Sequence, residues 1–443
     1  MRISTILPTE VDNARCYLQP HESQNRQIGG NADQTDRADS RGSEEAGRMI
    51  PRQNHSQIGG PVENHIATLT AIATGTRGKS SSSKSFCRKM ILPLPSSLSD
   101  PRKSAQSARS AFSLRRINQS NAVRRLILRA FQSPGDVVVL TAAVRDLQRA
   151  FPGRFLVDVR TSAPAVWEHN PRLVPLVEGA AGVETIDMHY PLVHHSNARP
   201  YHFLHGYVQH LEGRLGLRIP VTEFRGEIFL SDEERASPPL SSATRTLRAS
   251  GSLPDRYWIV VAGGKYDFTA KWWDPSAFQA VVDHFHGRIA FVQCGEAGHW
   301  HPPLRGVVNL VGQTTLREFI RLVHHADGVL CPVTLAMHLA AAVPVKPGNP
   351  PLRPCVVVAG GREPAHWEAY PGHQFLSNVG TLPCCATGGC WKSRCQRVGD
   401  GDEKDRANLC ELPVPIARGL HIPRCMHLIT PADVIRRVEM YDP

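Results

Sequence analysis

The chain has 443 residues, 41% apolar and 21% charged, room for two or three domains of about 150 residues with real cores. No apolar run approaches the roughly 20 residues that span a bilayer, and the N-terminus lacks the long apolar stretch of a secretory leader, so neither a transmembrane nor an exported protein is expected. The net charge of +11 is unevenly spread: residues 1–50 contribute −2, residues 51–135 contribute +12, and residues 136–443 only +1, so charge alone does not make the body a nucleic-acid enzyme.

Residues 1–120 are rich in Ser, Gln, Asn, Arg and Gly and poor in aromatics. They read as a disordered basic and polar extension, because such a composition cannot offset its ordering entropy with apolar burial. From Val123 the texture changes. Val123–Phe131 reads as a buried strand, Val137–Phe151 as a helix stopped by Pro152-Gly153, Arg154–Arg160 and Val183–Met188 as strands, and Tyr201–Leu217 as an amphipathic helix. An acidic stretch and a Ser/Pro-rich linker (236–253) follow. The alternation then restarts with a strand at Tyr257–Gly264, a helix from Asp274 with Pro275 behind its cap, and a strand at Arg288–Gly295. Next come a helix at Thr315–Ala326, a strand at Gly328–Val333, a helix at Thr334–Val343 and a strand at Pro354–Gly361. Beyond Gly361 the pattern breaks into a Cys- and Gly-rich region, closed by a Thr-capped helix at Thr430–Tyr441.

Alternating strands and helices predict α/β architecture with parallel sheets covered on both faces. The expected divisions are an acceptor-side domain at 121–235, the linker, a nucleotide-binding domain at 254–380, and a Cys-rich region with the closing helix at 381–443. Ligands in such sheets bind beyond the strand carboxyl ends. Asp136 follows the first strand in Ser133-Pro134-Gly135-Asp136 and reads either as a general base or as a helix N-cap. Gly263-Gly264 and Gly360-Gly361 end strands, where glycine permits a close ligand or simply turns the chain. By position, Arg362, Glu363, Trp367 and Tyr370 could line a nucleotide pocket; the aromatics read equally well as core.

Gly135–Gly153, Ala270–Trp273, Val308–Phe319 and His338–Pro344, in that order, resemble the family-9 glycosyltransferases, the ADP-heptose:lipopolysaccharide heptosyltransferases. The resemblance runs from about Val123 to Tyr441. It implies two facing doubly wound, Rossmann-like domains of the GT-B type and transfer of a sugar, with inversion, from a nucleotide diphosphate donor. It makes Asp136 the catalytic base. Lys271, which otherwise reads as a surface lysine, becomes the cation on the donor phosphates. Gly263, Gly264, Thr334, Leu335, His338, Arg362 and Glu363 are expected around the donor. The family's Asp-Thr-Gly type sequence is replaced here by Val333-Thr334-Leu335, and His338 also reads as a packed histidine. No catalytic divalent metal is expected.

Six cysteines crowd residues 384–425. Without an export signal they read as thiols, able to hold zinc or iron. The nearest resemblance for this part is to the autotransporter heptosyltransferases and their four-Cys iron site. Six candidates for four places leave the assignment open; the set chosen here is Cys385, Cys390, Cys410 and Cys425, with Cys384 in reserve, and free buried thiols are the other reading. The expected partners are a nucleotide diphosphate sugar such as ADP-heptose and a glycan, lipid-linked or protein acceptor, but no nucleic acid. The expected place is the cytoplasm, with peripheral contact at the inner membrane. A non-catalytic nucleotide-sugar-binding protein and a thiol-based metal-binding regulator are the competing functions.

Overall fold

A computed structural model of the chain describes residues 122–190, 192–237, 253–395 and 408–441. The expected extension at 1–120 and nearly all of the expected linker at 236–253 lie outside them.

β1 (Arg124–Ala130), β2 (Phe155–Thr161) and β3 (Val183–Asp187) form a parallel sheet in the order β2-β1-β3. Leu126, Ile127 and Leu128 are buried in succession, as expected of a strand covered on both faces. α1 (Pro134–Ala150) starts three residues after β1, with Ser133 as N-cap and Pro134 at its first position. α2 (Phe203–Leu215) closes on Gly216 at φ 67°, and α3 (Asp232–Ala236) is a short capped turn.

The second sheet is built from β4 (Trp258–Val260), β5 (Phe291–Gln293), β6 (Val308–Asn309), β7 (Gly328–Pro332), β8 (Cys355–Gly360) and β9 (His373–Ser377). All six are parallel, in the order β6-β5-β4-β7-β8-β9. This is the doubly wound order, in which the connection direction reverses between β4 and β7. α4 (Pro275–His284), α5 (Leu316–His325) and α6 (Leu335–Ala342) link its strands. α7 (Ala365–Glu368) is a single turn after β8, and α8 (Arg424–His427) and α9 (Pro431–Glu439) close the chain. The caps read from sequence are in place: Asp274 accepts from Ser276 N–H at 2.8 Å, and Thr430 and Asp433 form a reciprocal box.

β4, β5, β6 and β9 depart from the sequence expectation: β6 and β9 were not read as strands, and β4 and β5 are shorter than expected. β9 falls where the pattern seemed to end, because its five residues are all only half-buried and carry little apolar signal. β4 stops short of Gly264. Gly263 sits at φ 135°, and a Cβ there would stand 1.8 Å from the Trp300 carbonyl oxygen. The backbone leaves the sheet to pair with Trp300, with Gly264 N–H donating to its carbonyl at 2.9 Å and Trp300 N–H returning the bond at 3.0 Å.

The two sheets share one continuous apolar core through α1, α2 and α6. Arg317 of α5 donates to the Ala165 and Phe229 carbonyls and to Glu234, which fastens the second lobe to the first. Phe203 of α2 stacks on Trp367 of α7 with ring centroids 5.1 Å apart. No helix among the described residues is long and apolar enough to cross a membrane.

Candidate functional site

The reversal points of the two sheets meet at one junction. β1 delivers Asp136, which is neither a loop residue nor the N-cap but the third residue of α1. Its Oδ2 accepts from the Ser133 N–H at 3.2 Å, completing a capping box, and from the Tyr190 hydroxyl at 3.4 Å. Burial pushes the Asp136 carboxyl up to about 6, against the opposing pull of the Lys271 charge, the Ser133 N–H and Tyr190. Structural and chemical roles therefore coexist: the carboxylate caps its own helix and keeps a proton affinity suited to a base near neutral pH.

Lys271 comes from the short 3-10 turn Tyr266–Lys271 after β4. Its Nζ lies 3.1 Å from Glu363 Oε1 and over the Phe268 ring at 5.5 Å. Burial alone would raise the Glu363 carboxyl, but Arg362 and then Lys271 outweigh it and hold it below the usual carboxylate range. Arg362 bonds Glu363 and donates to the Lys392 carbonyl at 2.7 Å, so its guanidinium is largely committed inside the protein. Lys271, Glu363 and Asp136 lie within electrostatic reach of one another, although they come from different lobes.

α6 starts directly after β7. Thr334 is its N-cap residue, yet its hydroxyl makes no capping bond and is buried without a partner. Leu335 is the first helical residue, and Val333 is buried at 3%. Neither Val333 nor Leu335 carries a polar side-chain atom. His338 is buried on the inner face, its Nδ1 paired with the Tyr370 hydroxyl at 2.7 Å. Burial and then the Lys271 charge push it down to about 3, which keeps the ring neutral. Trp367 and Tyr370 are core, buried at 2% and 4%.

Gly135, between the cap and Asp136, could be a glycine for the turn from strand to helix. Instead it is helical, and what requires glycine is His338: a Cβ at 135 would stand 2.9 Å from the ring's Cδ2. Because Tyr370 holds that ring, it has little room to give. Gly135→Ala is expected to destabilise the fold by about 1–3 kcal/mol, the usual cost of overpacking, read as a shift in urea midpoint at unchanged slope.

The cysteine region backs the same junction. Cys390 N–H donates to the Gly361 carbonyl at 3.2 Å and Trp391 N–H to the Arg362 carbonyl at 3.0 Å. Ala270 N–H donates to the Ser393 carbonyl at 3.0 Å, and Cys395 N–H to the Thr269 hydroxyl at 2.6 Å. The loop thus props both Lys271 and Glu363. Asn197 reaches it from the first lobe, bonding Gly389 in both directions at 2.9 Å. Cys385, Cys390, Cys410 and Cys425 interact electrostatically, with Cys384 at their edge. Burial raises the Cys425 thiol to about 12 and the Cys384 thiol to about 11. A hydrogen bond from Cys395 lowers Cys410 to about 7.

Sequence reasoning counted Cys395, buried at 3%, among the six cysteines but did not choose it for the metal set, and it did not single out Glu368, buried at 4%. Among the described residues the only three ligand-type side chains whose donor atoms all lie within 4.8 Å of one another are Glu168, His169 and Glu234. The Arg317 guanidinium already sits on both of those carboxylates. The thiols are therefore more widely set than a closed tetrahedral cage.

Residues 193–347 match the model of glycosyltransferase family 9 (heptosyltransferase), a span that includes Lys271, Thr334 and His338 but not Asp136 or Glu363. A comparison with curated proteins returns no match. Among solved structures, a family-9 glycosyl transferase from Veillonella parvula DSM 2008 is 15% identical, with 73% of this chain and 99% of that one covered and a TM-score of 0.47. The E. coli ADP-heptose lps heptosyltransferase II is 13% identical over 71% of this chain and 98% of its own, TM-score 0.42. The iron-containing dodecameric glycosyltransferase TibC from enterotoxigenic E. coli H10407 is 16% identical over 72% and 76%, TM-score 0.47.

Proposed function

We propose that this chain, whose residues 193–347 match the model of glycosyltransferase family 9, transfers a heptose with inversion from a nucleotide diphosphate donor to a glycan, lipid-linked or protein hydroxyl. The observation that carries this reading is the meeting of Asp136 and Lys271 across the lobe junction, at the reversal points of both sheets. Asp136 takes the proton of the acceptor hydroxyl as that oxygen attacks the anomeric carbon. The bond from that carbon to the diphosphate breaks, and its electron pair leaves with the phosphate oxygen. Lys271 and the start of α6 at Thr334 and Leu335 meet the growing negative charge, a task that needs no divalent ion. Gly263 and Gly264, expected beside the donor, instead let the chain after β4 pack against Trp300 on its way to the turn that presents Lys271, and Arg362 holds Glu363 in place beside Lys271. A non-catalytic binding protein would also use a cation on the diphosphate but would need no base, so the buried Asp136 carboxyl, raised to about 6, is what favours the enzyme reading.

The neighbour TibC is described as iron-containing. In this chain Cys385, Cys390, Cys410 and Cys425, with Cys395 beside Cys410, are the residues to hold a metal. The thiolate donors suit zinc or iron by chemistry, but their spacing is wider than a closed cage, so a metal would have to draw them together; its role would be structural, tying the loop that supports Lys271. We place the enzyme in the cytoplasm, with peripheral contact at the inner membrane where the acceptor is lipid-linked.

Lys271→Ala tests the donor end. Loss of a charge-assisted bond of about 1.5–3 kcal/mol is expected to weaken ADP binding by roughly ten- to a hundred-fold while adenosine binding stays within about two-fold. Titration calorimetry with the two ligands checks it; equal losses would place Lys271 away from phosphate.

A further inference from the structure

Glu368 takes no part in the mechanism above, and no sequence motif singles it out. It ends α7, the single turn that follows β8, and so stands beyond a strand carboxyl end on the ligand side of the doubly wound sheet. Its side chain is 5% exposed, and its Oε2 is buried without a hydrogen-bond partner. The nearest polar atom recorded for that oxygen is His338 Nε2 at 3.7 Å, beyond hydrogen-bond reach. Glu363, on the same connection, shows the same feature: Oε1 is taken by Lys271 and Arg362, while Oε2 is buried and unpartnered. The Thr334 hydroxyl is a third such atom at the junction.

Each buried polar atom left unpaired costs about 1–3 kcal/mol. Two such carboxyl oxygens and a hydroxyl, gathered around Lys271 and Asp136, are what a polyhydroxylated ligand would satisfy. At the helix start only the Thr334 hydroxyl can share this work, since Val333 and Leu335 offer no polar side-chain atom.

We propose that Glu368, together with Glu363 Oε2, reads the hydroxyl groups of the sugar carried by the donor, and so sets sugar specificity. The inference rests on the donor-binding reading above. The chemistry of Glu368 fits the task. Burial first, and then the neighbouring Glu363 charge, raise its carboxyl well above the usual range, which favours the neutral acid. A neutral carboxylic acid both donates and accepts, as a sugar hydroxyl requires, and it does not repel a diphosphate.

The test compares titration calorimetry with ADP and with ADP-heptose for wild type, Glu368→Gln and Glu368→Met. Wild type should bind ADP-heptose more tightly than ADP. Glu368→Gln, which keeps one donor and one acceptor, should stay within about three-fold for both. Glu368→Met, of similar length and without polar atoms, should lose about ten-fold or more for ADP-heptose and under three-fold for ADP. Its melting temperature should be unchanged or higher, because an unpaired buried carboxyl has been removed. Equal losses on the two ligands, a lower melting temperature with loss of both, or undiminished ADP-heptose affinity would overturn the assignment, and so would a wild type that binds the two ligands equally. A wild type that binds neither defeats the donor reading itself and takes this inference with it.

Discussion

Asp136→Asn is expected to lower turnover by roughly 10²–10⁴-fold, the contribution of a positioned base, with ADP affinity within a few-fold of wild type. Asn preserves shape and can still accept the Ser133 N–H, so the capping box should largely survive, but it cannot take a proton. Two pH signatures separate a base from a structural carboxylate. In wild type, kcat/KM should rise with pH through about 6 and level off above it, because the base works only when ionised and burial places its ionisation there. The stability signature has the opposite sense. A folded-state value raised above the ordinary one means that the folded chain holds the extra proton between pH 4 and 6, so the Asp136 contribution to stability falls as pH rises through that window. At pH 8 Asp136→Asn should therefore be more stable than wild type, by up to roughly 3 kcal/mol, with the gap closing by pH 4. Unchanged turnover would return Asp136 to its capping role alone.

How much of this was legible in the sequence depended on whether a residue's role was local. Helix starts were, because Asp274-Pro275, Thr315 with Glu318, and Thr430 with Asp433 satisfy their own N–H groups within four residues. The apolar runs of β1, β7 and β8 were legible for the same reason. β9 was not, since a half-buried edge strand has no run to detect. Asp136 and Lys271 could be named from the resemblance, but their meeting depends on contacts between lobes that no local pattern encodes. Gly135 shows the limit most plainly: its small size answers to a histidine 203 positions later. Glu368 is one glutamate among many until the fold buries it.

The largest structural effect is expected at the cysteines. Protein purified without chelator should carry about one equivalent of zinc or iron per chain. Cys390→Ser or Cys425→Ser should release it. Binding energy at such sites is folding energy, about 10–16 kcal/mol in small zinc peptides, so the loop that bonds Ala270, Thr269, Gly361 and Arg362 should loosen with it. Because that loop supports Lys271 and Glu363, ADP affinity should fall in step with metal content, while the Asp136 side of the junction, anchored on α1, stays folded. Hydrogen exchange would show this as lost protection confined to the segments around residues 265–272, 361–368, 384–395 and 408–427. Cys294 and Cys331 are buried in or beside strands of the second sheet, away from this loop, and their replacement by Ala should leave metal content unchanged. Elemental analysis of wild type and the four variants decides the question, and a metal-free wild type with an intact, protected loop would leave these cysteines as ordinary buried thiols.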